Sequence, residues 1–207
     1  MTRSIIFDVD GVLVHGYHAR PDGKTWEGKF LIDLGIDPVR FRDEFIYDIF
    51  IKKVVVGQTA LVDALDRRLS SFGYKGSAIA FAQHWAARNS FPNEELLADI
   101  RRLKARSDIK LYLATNQDHM RAQWLWQTLG LGELFDDMFY SARARAMKPM
   151  AAFFEFAAAR MGPQTEIPLF FDDTQKVVEG ACNFGWESVL FTSNNDFRLH
   201  PWIKDRL

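Results

Sequence analysis

The sequence predicts an α/β protein, a doubly wound parallel sheet with a small helical domain inserted after its first strand. Two observations predict the sheet. Short apolar runs of strand length end in acidic or polar residues, and helical patterns alternate with those runs along the chain. Strict alternation of strand and helix means parallel strands with helices on both faces. A third observation, an oversized first crossover, predicts the insertion.

The first strand is Ile5-Ile6-Phe7, which runs into Asp8-Val9-Asp10-Gly11. Ile, Phe and Val bounded by a turn residue read as a buried strand. Ligands of open parallel sheets bind at the carboxyl ends of the strands, where Asp8 and Asp10 fall. Taken alone, Asp-x-Asp-Gly is also an ordinary solvated loop. Three further strands share the pattern: Ile109 to Ala114 runs into Thr115-Asn116, Pro168 to Phe171 into Asp172-Asp173-Thr174, and Ser188 to Phe191 into Thr192-Ser193-Asn194. Met138-Phe139-Tyr140 is a weaker fifth. Between them lie helical patterns at Glu95 to Arg106, Arg121 to Leu129 before Gly130, Ala151 to Met161 before Gly162-Pro163, and Val177 to Phe184 before Gly185. Glycine just past the last periodic residue is a helix stop.

A strand–helix–strand unit needs roughly 30 residues, yet about a hundred separate Asp10 from Thr115. The surplus, residues 16–90, carries helical patterns at Phe41 to Ile51 and Leu61 to Phe72. Its one β-branched run is Val54-Val55-Val56. The core is thus expected over 1–15 and 91–207, with 16–90 as a helical lid over the strand ends.

Composition narrows the function classes. The 207 residues are 48% hydrophobic and 14% aromatic, which suits a folded globule and argues against disorder. A net charge of -1 gives no footprint for nucleic acid or an anionic membrane. The N-terminus reads neither as a signal peptide nor as a membrane span, so a cytoplasmic protein is expected. Cys182 is the single cysteine, which excludes an intrachain disulfide and a cysteine-based zinc cluster. It falls in a helical pattern and reads as core. The absence of a coiled-coil pattern makes a monomer or small homo-oligomer the default.

The strand ends gather Asp8, Asp10, Thr115, Asn116, Asp172 and Asp173 on one rim, with Lys148-Pro149 just beyond the weak strand. Four carboxylates and one lysine are too negative without a cation, and hard oxygen ligands select Mg²⁺. A carboxylate nucleophile, Mg²⁺, a hydroxyl with backbone amides and a lysine together suit a phosphoryl group, with Asp8 attacking phosphorus in line.

These segments resemble, in order, the four motifs of the haloacid dehalogenase (HAD) superfamily: Asp8-Val9-Asp10-Gly11-Val12, Thr115-Asn116, Lys148-Pro149 and Asp172-Asp173-Thr174. The insertion resembles that family's helical cap, and the resemblance covers nearly the whole chain on a Rossmann-like core. It implies Asp8 as the nucleophile that becomes an aspartyl phosphate. Asp10 would protonate the leaving oxygen and then activate water, with its backbone carbonyl on Mg²⁺. Thr115 and the backbone of Asn116 would hold phosphoryl oxygens, and Lys148 would neutralise Asp8 and the phosphate. Asp173 would ligate Mg²⁺ directly, and Asp172 directly or through water; Asp8 and Asp10 complete the metal set. The expected activity is hydrolysis of a small phosphorylated metabolite. A phosphosugar mutase would use the same two aspartates, and a catalytically silent HAD-like binding protein would keep only the fold. The 2-haloacid dehalogenases resemble the chain but lack an acid at the position of Asp10, since a leaving halide needs no proton.

Two departures from the family pattern stand out. Val177 occupies a place that is often polar, and Arg145 one that is often glycine. Arg143 and Arg145 either face the site or are solvated. His15 and His18, where the chain enters the lid, read as hinge or surface. Arg101, Arg102, Lys104 and Arg106 read as a solvated face. Lys52-Lys53 and Arg67-Arg68 are candidates for gripping a distal anion, or else solvate their helices. Trp26, Phe45, Phe81 and Trp85 read as lid core, and Trp124 and Trp126 as packing for the helix after the second motif.

Overall fold

The sheet has five strands, all parallel, in the order β3-β2-β1-β4-β5. This computed structural model describes residues 3–15, 26–106 and 108–207, without the side chains of 26–29 and 106. The strands are β1 (Arg3–Phe7), β2 (Ile109–Thr115), β3 (Asp137–Tyr140), β4 (Leu169–Asp172) and β5 (Glu187–Leu190). The chain moves outward from β1 through β2 to β3, then returns to lay β4 on the other flank of β1. That reversal opens a crevice at the carboxyl end of β1, where such sheets bind ligands.

Alternation along β1 sorts side chains to opposite faces. Ile5 and Phe7 join Leu96, Ile100, Phe171 and Phe197 on one side, and Phe7 stacks on Phe171 with centroids 5.4 Å apart. Ile6 joins Phe153, Phe154, Ala157 and Phe170 on the other. All five residues of β1 are buried, so the strand is pinned from both faces and the position of Asp8 is fixed by it.

Residues from Phe30 to Trp85 pack into a third cluster of their own, built of helical segments and the loop at Ile36, with no strand among the described residues. Phe41 is its centre, with Phe45, Phe72, Phe81 and Trp85 around it at centroid distances of 5.0 to 6.1 Å. Asp37 caps the helix Pro38–Phe41, which continues as a wider-turned stretch over Arg42–Val54. The run Val54-Val55-Val56 is no strand: Val54 ends that stretch, the Val55 amide bonds back to Phe50, and Gly57 at φ 70° turns the chain. Three residues with no partner strand cannot satisfy their backbone in a sheet. The Leu61 to Phe72 pattern divides into Leu61–Asp66 and a tighter 3₁₀ turn, Leu69–Phe72.

Two chain segments join this unit to the sheet, and they run side by side. The His15 amide donates to Phe91 O at 2.8 Å, and the Asn93 amide to Leu13 O at 2.8 Å. Asn93 Nδ2 adds a bond to Val12 O. Cys182 is exposed, contrary to its reading as core. Its helix, Gln175–Phe184, buries Val177, Val178 and Ala181, and one residue beyond Ala181 the helical rotation already points outward. His18 and the side chains of Trp26 and Arg106 lie outside the described residues.

Candidate active site

Asp8 follows β1 directly. Its backbone amide still bonds in strand fashion to Phe171 O, and its Oδ1 accepts the Val9 amide at 2.7 Å. The amides of Val12, Leu13 and Val14 all turn back onto Val9 O, closing a tight loop that carries Asp10 and Gly11 above the strand end. Gly11 has φ +90°, a region L side chains rarely adopt, and a Cβ there would lie 2.0 Å from Asp173 Oδ2. The glycine therefore serves both the turn and the carboxylate opposite.

Lys148 is the buried centre of charge. Its Nζ reaches Asp8 Oδ1 at 2.9 Å, Asp172 Oδ2 at 2.6 Å and Ala114 O at 2.7 Å. Asn116 holds the lysine from behind: its Oδ1 accepts the Lys148 amide at 2.9 Å and its Nδ2 donates to Lys148 O at 3.1 Å. The Asn116 side chain thus positions Lys148. Arg145 bends the same loop in the left-handed region at φ 55°, taking by strain the conformation that glycine adopts freely. Arg145 and Arg143 are exposed, and Arg143 pairs with Asp137 at 3.5 Å, so the solvated reading holds for both.

One lysine faces two carboxylates, and burial decides where the remaining proton sits. Burial in the first place, and then the Asp172 and Asp10 charges, push the Asp8 carboxyl up to about 8 against the pull of Lys148. Lys148 itself is raised by Asp8 and Asp172 against its burial, and stays charged. Of its two carboxylate contacts, Lys148 makes the closer one to Asp172. Asp172 Oδ1 also accepts the Thr174 amide at 2.9 Å, so both its oxygens are engaged. Asp173 is more exposed, and its carboxyl is raised by desolvation and by Asp172.

Oxygens of Asp8, Asp172 and Asp173 lie within 4.8 Å of one another. Three hard carboxylates, one of them holding a proton for want of positive charge, fit a divalent cation such as Mg²⁺. The Asp10 carboxylate stands apart from that cluster, bonded to Gln117 and, at 3.1 Å, to Arg121. Val177 is buried in the apolar cluster behind β4.

Sequence reasoning missed Gln117 and Arg121. Both follow the second motif, where the helix His119–Gln123 starts on its Asp118 cap. Arg121 is buried, and its terminal nitrogens reach Ala86 O at 2.9 Å, Asn89 O at 2.5 Å, Ser90 Oγ and Asp10. An arginine within an amphipathic helix reads as solvated, so only a buried fork with an aspartate as partner betrays its role. A cavity of about 140 Å³ opens beside Asp10, between the helix Ala78–Arg88 and the start of the helix that carries Arg121.

A profile of haloacid dehalogenase-like hydrolases matches residues 2–185 of the chain. No curated protein matches it in sequence. Solved structures do in shape. The wild-type HAD family enzyme from Bacteroides thetaiotaomicron, in complex with magnesium and inorganic phosphate, is 17% identical with a TM-score of 0.71, over 91% of this chain and 93% of that one. A HAD-like family hydrolase from Porphyromonas gingivalis is 20% identical with a TM-score of 0.69, over 99% and 96%. The L-2-haloacid dehalogenase of Xanthobacter autotrophicus, with chloropropionic acid covalently bound, is 18% identical with a TM-score of 0.61, over 100% and 82%. With the motif order, the parallel sheet and the profile match in agreement, the chain belongs to the haloacid dehalogenase-like hydrolase family.

Proposed function

We propose that the protein is a Mg²⁺-dependent phosphatase that hydrolyses a small phosphate monoester through an aspartyl phosphate on Asp8, beneath a cap formed by residues 16–90. The observation that carries this reading is Asp10, an acid beside the cavity and two residues after the buried Asp8. A departing alkoxide needs a proton and a departing halide does not, so an acid there favours phosphate ester over haloacid.

Asp8 attacks phosphorus, forming a carboxylate O–P bond as the bond from phosphorus to the ester oxygen breaks. Asp10 gives its proton to that oxygen, and the alcohol leaves. Asp10, now a base, takes a proton from water; the hydroxyl attacks phosphorus, the Asp8 O–P bond breaks, and inorganic phosphate is released. Lys148 holds Asp8 in line and offsets charge on the phosphoryl oxygens, while Thr115 and the following amide receive them. Mg²⁺ held by Asp8, Asp173 and Asp172 would supply further charge neutralisation between nucleophile and phosphate.

Release of inorganic phosphate from phenyl phosphate, dependent on Mg²⁺ and abolished by chelation, tests the reading. Borohydride trapping of the acyl phosphate at Asp8, read by peptide mass spectrometry, tests its chemistry. No turnover of any phosphate monoester in the presence of Mg²⁺ would sink it. Appearance of an isomeric phosphate in place of free phosphate would turn it into a mutase.

A further inference from the structure

We infer that the group esterified to phosphate is small, uncharged and largely apolar, of the size of a single six-membered ring. The inference rests on the phosphatase reading for where the phosphate sits, and on the cavity beside Asp10 for everything else. Asp10 protonates the ester oxygen, so the group attached to that oxygen lies on the side of Asp10, in this cavity.

Its size sets the first limit. About 140 Å³ is close to the volume that accepts one benzene molecule, in a cavity that is partly open to solvent. Its walls set the second. Phe50, Leu61, Ala82, Trp85 and Ala86 face it from the helical unit, and Met120 from the core. None of these carries a hydrogen-bonding group apart from the Trp85 indole.

Most polar groups of the lining are engaged elsewhere; Gln117 Oε1 and the second Asp118 oxygen are the acceptors left over. Asp10 is held by Gln117 and Arg121, and Asn116 clasps the Lys148 backbone. Asp118 caps its helix through the amides of Met120 and Arg121. Asn89 offers one amide, enough for a single hydroxyl or carbonyl. A polyol would bring more hydroxyls than these few groups can pair, and a desolvated hydroxyl without a partner is costly.

A second anion fares worse. Arg121 is the one cation among the described lining residues, and its terminal nitrogens are taken by Ala86, Asn89, Ser90 and Asp10. Among the described residues, no lysine or arginine of the helical unit lines the cavity. Lys52 and Arg68 line a separate groove with Asp48 and Glu44, to which they are paired. A carboxylate or second phosphate on the leaving group would enter without a counter-charge.

The test uses three primary esters with a common reacting centre: benzyl phosphate, 4-carboxybenzyl phosphate and glucose 6-phosphate. It is run beside calorimetric binding of benzylphosphonate and 4-carboxybenzylphosphonate, which cannot be hydrolysed. Benzyl phosphate should exceed both other esters at least tenfold in kcat/KM, and benzylphosphonate should bind at least tenfold more tightly than its carboxylated analogue. Ala82→Leu, which fills the cavity from the helix Ala78–Arg88, should raise KM for benzyl phosphate but not for methyl phosphate. Hydrolysis of all three esters with equal efficiency would overturn the inference and leave the phosphatase reading intact. Preferential binding of benzylphosphonate without hydrolysis of any ester would uphold the cavity's specificity and overturn the phosphatase reading. Equal binding of the two phosphonates would overturn the inference whatever the turnover.

Discussion

Asp8 and Asp10 are two residues apart, each beside a cationic side chain, and differ in burial. Asp8 is buried against Lys148, whereas Asp10 is part-exposed between Gln117 and Arg121. Asp8→Asn should remove essentially all turnover, because an amide cannot form the acyl phosphate. Asp10→Asn should slow alkyl phosphates by roughly 10²–10⁴-fold, the usual worth of a general acid or base. The loss should be smaller for aryl phosphates, since phenolate departs with less need of a proton. Equal losses on both substrate types, measured in steady state, would remove Asp10 from the acid role. Gly11 marks the Asp173 side of the same loop. In Gly11→Ala the new methyl would meet Asp173 Oδ2 at 2.0 Å, on a backbone whose φ of +90° already disfavours alanine. Asp173 must swing away, and calorimetry should find Mg²⁺ affinity weakened about tenfold or more, within the usual range for disturbed ligand shells. Unchanged affinity would mean that Asp173 is not a ligand.

Elements bring these residues together, and they differ in how openly the sequence shows them. The four core strands with polar ends were legible because burial on both faces leaves an apolar run, and the strand ends named Asp8, Thr115 and Asp172-Asp173. The helical segments at Phe41 and Leu61 were legible by pattern, but their internal breaks were not. The Leu61 to Phe72 pattern stays apolar through the change to a 3₁₀ turn, since Leu69 and Phe72 remain buried on the same face. Arg145 was seen as a departure from glycine, yet only the backbone shows that it keeps the left-handed turn, at a cost of roughly 1–2 kcal/mol. Arg121 was illegible because its meaning lies in contacts more than thirty residues away in the helix Ala78–Arg88 and the residues after it. That contact joins the end of the helix Ala78–Arg88 to Asp10. Lysine there would keep the charge but not the planar fork that serves four acceptors. Arg121→Lys should therefore lower kcat on alkyl phosphates roughly tenfold or more, by analogy with lost orienting groups around catalytic ligands. Amide exchange at Asn89 and Ser90 should quicken alongside. Faster exchange with unchanged kcat would show that Arg121 anchors the helix and does not position Asp10.

At the scale of the whole molecule, the buried cluster makes stability depend on pH and on cation. Asp8 titrates near 3.8 when unfolded and is pushed up to about 8 in the folded protein, mainly by burial. Between those values the native state keeps a proton that the unfolded chain has released. Unfolding free energy must then fall as pH rises through that window. Asp173, raised by desolvation and by Asp172, acts in the same direction. Glu187 and Asp196 are lowered by hydrogen bonds that outweigh their desolvation, and their stabilisation is lost only as pH falls below the ordinary carboxylate range. The metal-free protein should accordingly melt at a higher temperature at pH 5 than at pH 8. A bound cation supplies the positive charge that the proton otherwise provides. Mg²⁺ should therefore raise the melting temperature more at pH 8 than at pH 5, and its binding near pH 7 should release protons, seen as a buffer-dependent heat. In Asp8→Asn the pH dependence between 5 and 8 should flatten, because the group that keeps the proton is gone. A metal-free wild type that is equally stable at both pH values, or an Asp8→Asn variant with the wild-type slope, would place the shared proton elsewhere than on the nucleophile.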